Sequence, residues 1–249
     1  MHTPMAEGHA VELTDVTLVR GQNTVFHGLT LQLREQRIGL IGDNGAGKSS
    51  LFRLLCGLEL PRRGQVRILG EDIVRPKARQ PQVGMMFQNP DEQIVFPTVK
   101  EELALGLEVA GLARRQAREQ AAAWLQARGL GHWAERAISS LSQGQRQHVC
   151  WLALIIAAPR LLLLDEPFAS LDLPGQALLD QEIRQAEQQI IVSTHLLDHV
   201  RHFERVIWLD GGVVRADGPG VQVCAAYEAD IAARIATQVL RMDPDAQPG

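Results

Sequence analysis

The most informative feature of this chain is a run of eight residues, 42–49, with the sequence GDNGAGKS. It fits the pattern G-x-x-x-x-G-K-[ST] and lies between an apolar segment, 38–41, and a segment with helical character, 50–56. Glycine permits the backbone curl that turns consecutive N–H groups and the positive end of a helix toward one anion. A lysine and a hydroxyl at the end of such a loop suit the β- and γ-phosphates and Mg²⁺. The pattern therefore favours nucleoside triphosphate binding over a glycine-rich turn that merely joins strand to helix.

A second candidate group is the acidic pair Asp165 and Glu166, which directly follows four leucines, 161–164, and precedes Pro167. A run of apolar residues that is followed directly by charged residues indicates a buried strand. At the carboxyl end of a parallel strand beside a phosphate loop, one carboxylate can hold Mg²⁺ and the next can orient water. We therefore assign Asp165 to the metal and Glu166 to the general base. The alternative is an acidic turn after a core strand.

Between these two groups lies the sequence LSQGQ, residues 141–145. Ser142 and Gln145 have the spacing of a capping box for a helix that runs to residue 158 and stops at Pro159. The segment also resembles the signature motif of ATP-binding-cassette (ABC) ATPases, with Gln143 in place of the usual glycine. The two interpretations are compatible, because in this family the capped helix end points its N–H groups at the γ-phosphate.

Three further segments, in the order of that family, resemble its motifs. Gln88, after the apolar segment 83–87, resembles the glutamine that senses the γ-phosphate, belongs to the metal site and touches the membrane partner. Residues 170–172 resemble the loop that crosses the dimer interface. His195, after the apolar segment 190–194, resembles the switch histidine that hydrogen-bonds the γ-phosphate.

The resemblance spans about residues 10–219 and implies a set of roles. The implied catalytic residues are Glu166, His195 and Gln88, and the implied Mg²⁺ ligands are Ser49, Gln88 and Asp165. The implied ATP-binding residues are Gly42, Asp43, Asn44, Gly45, Ala46, Gly47, Lys48, Ser49, Ser50, Ser142, Gly144 and Gln145.

One position departs from the family. Many members stack adenine on an aromatic residue just after the first strand, but no Tyr, Trp or Phe occurs in residues 1–25. Arg20 lies near that position. We expect the base to be held by the Arg20 guanidinium plane or by weak apolar contact.

His199 and His202, about one helical turn apart, raise the alternative of a metal site together with His195. We reject it because no cysteine or second carboxylate completes a tetrahedral set. Apolar residues between these histidines predict an amphipathic helix, on which His199 and His202 face solvent.

Periodicity predicts an α/β fold with parallel and antiparallel strands and a helical segment. The resemblance implies that these form a P-loop NTPase core with a parallel sheet, an N-terminal antiparallel β subdomain and an inserted α-helical subdomain. Alternating patterns predict antiparallel strands at 10–19, 24–33 and 64–71, and apolar runs predict parallel strands at 37–41, 82–87, 161–165 and 190–194. The helical subdomain covers about 93–158, with a Thr98/Glu101 capping box and a helix over 114–128. A hairpin at 206–215 ends the ABC domain, 10–219; residues 220–249 form a C-terminal helix to about residue 240 and a disordered tail.

Composition limits the function classes. The net charge of −4 gives no argument for nucleic acid. Three cysteines without paired spacing suit a reducing cytoplasm. The longest apolar run, 149–158, is too short to span a bilayer, and the N-terminus lacks the pattern of a secretion signal.

The family resemblance implies a cytoplasmic-face, peripheral ATPase that uses ATP and Mg²⁺ and works as a dimer of cassettes, each signature serine facing the other subunit's phosphate loop. Residues 88–102 resemble energy-coupling-factor ATPases, which power vitamin and transition-metal import with a transmembrane coupling protein and a substrate-binding membrane protein. Biotin is the favoured cargo, and cobalt or nickel is the runner-up. The alternatives are a conventional ABC transporter subunit, a non-transport ABC ATPase, or a P-loop kinase, which would leave Ser142, Gly144 and His195 unexplained.

The apolar residues 94–96 follow the polar run 88–93. They are interpreted either as core or as part of a groove, rimmed by Asp91 and Glu92, that holds a helix of the coupling protein.

Overall fold

The computed structural model describes residues 11–74 and 83–242, which form two sheets and six α-helices. The strands are β1 (Val11–Arg20), β2 (Asn23–Leu33), β3 (Arg37–Ile41), β4 (Arg63–Ile68), β5 (Glu71–Asp72), β6 (Val83–Met86), β7 (Leu161–Asp165), β8 (Gln189–Ser193), β9 (Arg205–Asp210) and β10 (Val213–Gly218). The helices are α1 (Lys48–Leu55), α2 (Val99–Val109), α3 (Arg114–Ala127), α4 (Gln143–Ala157), α5 (Leu173–Gln185) and α6 (Gly220–Met242). The predicted α/β fold is confirmed.

The larger sheet has the strand order β10-β9-β3-β8-β7-β6. Its inner pairs are parallel, and only β10 runs antiparallel to its neighbour β9. The hairpin predicted at 206–215 is confirmed by the antiparallel pairing of β9 with β10, and β9 also pairs with β3 and joins the parallel core. All five parallel strands therefore end at one edge of the sheet, where the candidate chemical residues follow them.

Both faces of this sheet are buried, which explains the continuous apolar runs. In β7, Leu161 and Leu163 belong to the cluster formed with the smaller sheet and α1, whereas Leu162 and Leu164 belong to the cluster formed with the other helices. Alternate side chains of one strand thus fill two cores.

The smaller, antiparallel sheet has the order β2-β1-β4-β5. The prediction of one strand over 64–71 is wrong, because the strand stops at Ile68. Leu69 and Gly70 have φ angles of 52° and 83°. Two residues in left-handed conformation turn the chain back, so that β5 pairs antiparallel with β4. Residues 10 and 82, where two strands are predicted to begin, lie outside the described residues.

Helices α2, α3 and α4 lie between β6 and β7 in the sequence, and α2 packs against both α3 and α4. The Thr98 hydroxyl accepts from the N–H of Glu101 at 3.4 Å, and Ser142 and Gln145 form the predicted reciprocal capping box of α4. Helix α6 extends to Met242, and the predicted disordered tail lies beyond the described residues. Within 11–74 and 83–242, no helix combines the length and apolar character needed to cross a bilayer.

Candidate functional site

A cleft of about 940 Å³ opens at the carboxyl edge of the parallel strands. It is lined by most of the residues that the sequence singles out: Arg20, Gly42, Asp43, Asn44, Gly45, Gly47, Lys48, Ser49, Ser50, Gln88, Asp165, Glu166 and His195. Ala46 is only 4% exposed and does not line it. The N–H of Ala46 donates to Asp43 O at 3.2 Å inside the loop.

The phosphate loop depends on glycine. Gly42 and Gly47 have φ angles of 141° and 107°. A Cβ atom on Gly42 would lie 2.1 Å from the carbonyl oxygen of Leu209, and one on Gly47 would lie 2.8 Å from the Phe26 ring. Both positions therefore exclude any side chain, through conformation and through space.

The Lys48 ammonium group is buried and pre-positioned. Nζ donates to the carbonyl oxygens of Gly42 at 2.6 Å and Asp43 at 3.1 Å. Burial lowers the pKa of Lys48, and the negative charges of Glu166, Asp165 and Asp43 oppose that shift. A cation held by loop carbonyls at the start of α1 can bind phosphate oxygens without first being ordered.

The acidic pair lies where β7 ends. Asp165 is 7% exposed and Glu166 is 9% exposed. The N–H of Glu166 donates to Ser193 O at 2.8 Å, and the residue has a φ of 49°, which non-glycine residues adopt rarely. This turn directs the carboxylate to His195, whose Nδ1 lies 2.8 Å from Glu166 Oε2. A carboxylate paired with a solvent-accessible imidazole is suited to proton transfer.

A divalent cation fits beside this pair. Ser49, Gln88 and Asp165 line the cleft and also share a smaller adjoining pocket. A hydroxyl, an amide and a carboxylate are the oxygen donors that Mg²⁺ prefers. These three residues would hold the ion.

Arg20 forms an ion pair with Glu59. Its Nε donates to Glu59 Oε1 at 2.8 Å, and Arg53 Nε contacts the same oxygen at 3.1 Å. The Arg20 side chain stays 44% exposed at the cleft. Glu59 thus orients the guanidinium plane, and the sequence gives no signal for this contact.

The signature residues Ser142, Gly144 and Gln145 lie elsewhere. They line a second cleft of about 560 Å³ with Ser170, Leu171 and Asp172, and no residue is common to the two clefts. Gln143, the departure from glycine, donates its amide to Ser170 Oγ at 3.0 Å. Within one chain, the signature and the phosphate loop therefore form separate surfaces.

The sequence interpretation missed Tyr227 and residues 23–25 and 211–212, all of which line the first cleft. Tyr227 comes from α6, outside the region compared with the family. The only sequence signal was that it is the single tyrosine of the chain.

The prediction that His199 faces solvent is wrong. Its ring stacks on Phe168 with centroids 3.8 Å apart, and Nε2 lies 3.3 Å from Gln176 Oε1. The segment forms only a short 3₁₀ turn, Leu197–His199, and not an amphipathic helix. The turn points His199 toward α5, while His202 is exposed as predicted.

Residues 94–96 divide between the two interpretations. Ile94 packs against the core, whereas Val95 is 68% exposed. Asp91 is already paired inside the chain, with Oδ1 3.5 Å from Arg146 Nε. Asp91 is nevertheless exposed, as are Glu92 and Val95, so this surface carries two carboxylates beside an apolar side chain.

Comparisons with known proteins agree with this geometry. A family model described as ABC transporter matches residues 26–169. The chain is 44% identical over 219 residues to the "Biotin transport ATP-binding protein BioM" of Rhodobacter capsulatus, covering 88% of this chain and 94% of that protein. Among solved structures it is similar to cbiO1 from Clostridium perfringens, described as part of the ABC transporter complex cbiONQ, with a TM-score of 0.75, 23% identity, and coverage of 95% and 98%. A dimeric ATP-binding cassette bound to ADP and Pi matches with a TM-score of 0.71, 24% identity, and coverage of 84% and 98%.

Proposed function

Because the chain belongs to the ABC transporter family of ATPases, we propose that it is the ATP-hydrolysing subunit of an energy-coupling-factor importer whose cargo is biotin. The observation that carries the proposal is the 44% identity to a biotin transport ATP-binding protein over nearly its whole length. We take residues 10–219 as the ABC domain, with the helical subdomain at about 93–158, and 220–249 as its C-terminal extension.

The proposed mechanism assigns a task to each residue of the cleft. Lys48 and the loop N–H groups bind the phosphate oxygens. Ser49, Gln88 and Asp165 would hold Mg²⁺, which would offset the negative charge on those oxygens. Glu166 takes a proton from a water molecule while the oxygen of that water bonds to the γ-phosphorus. The bond between the γ-phosphorus and the oxygen shared with the β-phosphate then breaks, and ADP leaves with that oxygen.

His195 completes the proposed site. Its contact with Glu166 fixes the direction of the carboxylate, and when both ring nitrogens carry a proton Nε2 can donate to a γ-phosphate oxygen. Arg20, oriented by Glu59, offers a planar surface for the nucleobase.

A second copy of the chain supplies the remaining groups in this proposal. The separation of Ser142 from the phosphate loop leaves each chain with two incomplete half-sites. A two-fold dimer would bring the capped end of α4 in one subunit to the γ-phosphate bound by the other. The dimeric cassette among the similar structures supports this arrangement.

The proposed membrane partners are a transmembrane coupling protein and a substrate-binding membrane protein, which place the chain at the cytoplasmic face of the membrane. The exposed pair Glu92 and Val95, a few residues after Gln88, provides the surface for a helix of the coupling protein. Displacement of this segment when Gln88 meets the γ-phosphate would transmit the state of the nucleotide.

The test is cargo uptake. The chain is co-expressed with a transmembrane coupling protein and a substrate-binding membrane protein in a strain unable to import biotin, and uptake of labelled biotin and of Co²⁺ is measured. Biotin uptake that Lys48→Ala abolishes would support the proposal. Uptake of Co²⁺ alone would mean that the cargo is a transition-metal ion and not biotin. Uptake of neither would favour the alternative of a conventional ABC transporter subunit.

A further inference from the structure

Helix α6 reaches the phosphate loop through Tyr227 and Arg234, two side chains without a role in the mechanism above. The Tyr227 hydroxyl donates to Asp43 Oδ1 at 2.7 Å. Arg234 donates to Oδ2 of the same carboxylate at 2.5 Å and to Oδ1 at 3.3 Å. Asp230, one helical turn earlier, holds Arg234 Nε at 2.8 Å. Asp43, the second residue of the phosphate loop, is therefore hydrogen-bonded by two side chains of α6, outside the proposed ABC domain.

Asp43 connects these contacts from α6 to the ammonium group of Lys48. The Asp43 carbonyl oxygen accepts from Lys48 Nζ at 3.1 Å, while the Asp43 side chain is fixed by α6. A change in the Asp43 conformation would move one of the two carbonyl groups that hold Lys48. The chain of contacts thus runs from Arg234 through Asp43 to Lys48.

The charge of Asp43 gives the contact a second consequence. A carboxylate beside the phosphate loop repels a triphosphate, and a guanidinium on that carboxylate reduces the repulsion. Hydrogen bonds from Arg234 and Tyr227 hold the pKa of Asp43 below its ordinary value, so the carboxylate stays ionised at neutral pH. Repulsion at this position is therefore relieved by pairing, and not by protonation of Asp43.

Tyr227 is rigidly placed. Its ring packs edge-on against Trp208 of β9, with centroids 5.2 Å apart and an angle of 71°. Burial and the Asp43 carboxylate raise the pKa of Tyr227 to about 12, so the hydroxyl remains a donor. The Tyr227 side chain that donates to Asp43 is consequently packed against the same sheet that carries the phosphate loop.

We propose that Tyr227 and Arg234 are positioning residues for nucleotide binding, which hold and neutralise Asp43 so that Lys48 stays in place and the loop accepts a triphosphate. The inference rests on the proposed role of the phosphate loop and does not depend on the cargo. It gives α6 a function in ATP affinity.

The experiment measures the Kd for MgATP by calorimetry on the full-length chain. Arg234→Gln should weaken binding about two- to fivefold at low salt, the range for a half-exposed ion pair, and less at high salt. Arg234→Lys should restore most of the affinity, because the positive charge returns. The matched control is Arg201→Gln, which removes the ion pair between Arg201 and Glu228 of α6 and should leave the Kd unchanged.

The decisive comparison repeats Arg234→Gln in an Asp43→Asn background. The substitution should then have no effect, because no carboxylate remains to neutralise. An equal loss in both backgrounds would mean that Arg234 meets the phosphates directly, and an equal loss from Arg201→Gln would mean that only helix docking matters. Either result, or an unchanged Kd for Arg234→Gln, would overturn the inference. Unchanged affinity in Lys48→Ala would instead remove the role of the phosphate loop itself.

Discussion

Glu166 and His195 are joined twice: His195 Nδ1 lies 2.8 Å from Glu166 Oε2, and the His195 backbone N–H donates to the same oxygen at 3.3 Å. The strands that precede them, β7 and β8, are paired in parallel, with Asp165 opposite Ser193. Two residues distant in sequence are thus joined through Glu166 Oε2. The other carboxylate oxygen of Glu166, Oε1, is left to contact water.

The first prediction concerns that free oxygen. Glu166→Gln should keep ATP binding and lower hydrolysis by about a hundredfold or more, because an amide cannot take the proton from water. Phosphate release and MgATP affinity are measured on the same preparation. Glu182→Gln is the matched control, since Glu182 also contacts a histidine, His148, but lies outside the nucleotide cleft. Hydrolysis at the parental rate in Glu166→Gln would leave only the acidic-turn interpretation.

The second prediction tests the shared site. Heterodimers of Lys48→Ala and Ser142→Arg subunits, isolated through two different tags, should regain partial ATPase activity that neither variant shows alone. One of their two sites combines an intact phosphate loop with an intact signature. The control places both substitutions in one chain and pairs it with the parent chain, which leaves no site intact. Equal activity of the two heterodimers would refute a site formed across subunits.

The third prediction concerns the exposed surface after Gln88. Val95→Asp should weaken co-purification with the transmembrane partner by about tenfold or more, because a charge would enter an apolar contact. ATP binding should persist, since the Val95 side chain is exposed and the substitution keeps the backbone N–H that donates to Glu102. Val221→Asp, an equally exposed valine in the first turn of α6, is the control. Undiminished assembly and uptake in Val95→Asp would remove the docking role from this segment.

The fourth prediction follows from Glu102, which is 5% exposed and accepts from the N–H groups of Val95 and Phe96 through one oxygen, Oε2. Burial raises the pKa of Glu102, and these two hydrogen bonds oppose the shift. A raised folded-state pKa means that ionisation costs folding free energy once the pH exceeds the unfolded value of about 4.3. Glu102→Gln keeps an oxygen for both N–H groups and does not ionise.

The variant should therefore gain stability relative to the parent as the pH rises through the unfolded value toward the higher folded value, and the gain should then level off. Urea midpoints of both proteins across this range measure the difference. A constant difference at every pH would show that Glu102 has the same pKa in both states, and a gain that grows toward acid would reverse the sign of the shift.

Much of the site was determined by the sequence, because the signals are local. The glycines of residues 42–47, the capping pair Ser142 and Gln145, and the apolar strand before Asp165 each act through neighbours within a few residues. Backbone geometry and side-chain periodicity are enough to place such groups on a loop, a helix end or a strand end. The edge at which these ends meet follows from the parallel arrangement.

Only the tertiary structure decided which distant groups meet. It joined β9 to β3, paired Asp91 with Arg146, stacked His199 on Phe168 and placed Tyr227 on Asp43. It also separated Ser142 from Lys48, although the proposed mechanism uses both residues in one catalytic cycle. Contacts of this kind depend on how whole elements pack against each other, and no spacing along the chain encodes them. For that reason the sequence alone identified the chemistry, while the packing determined its partners.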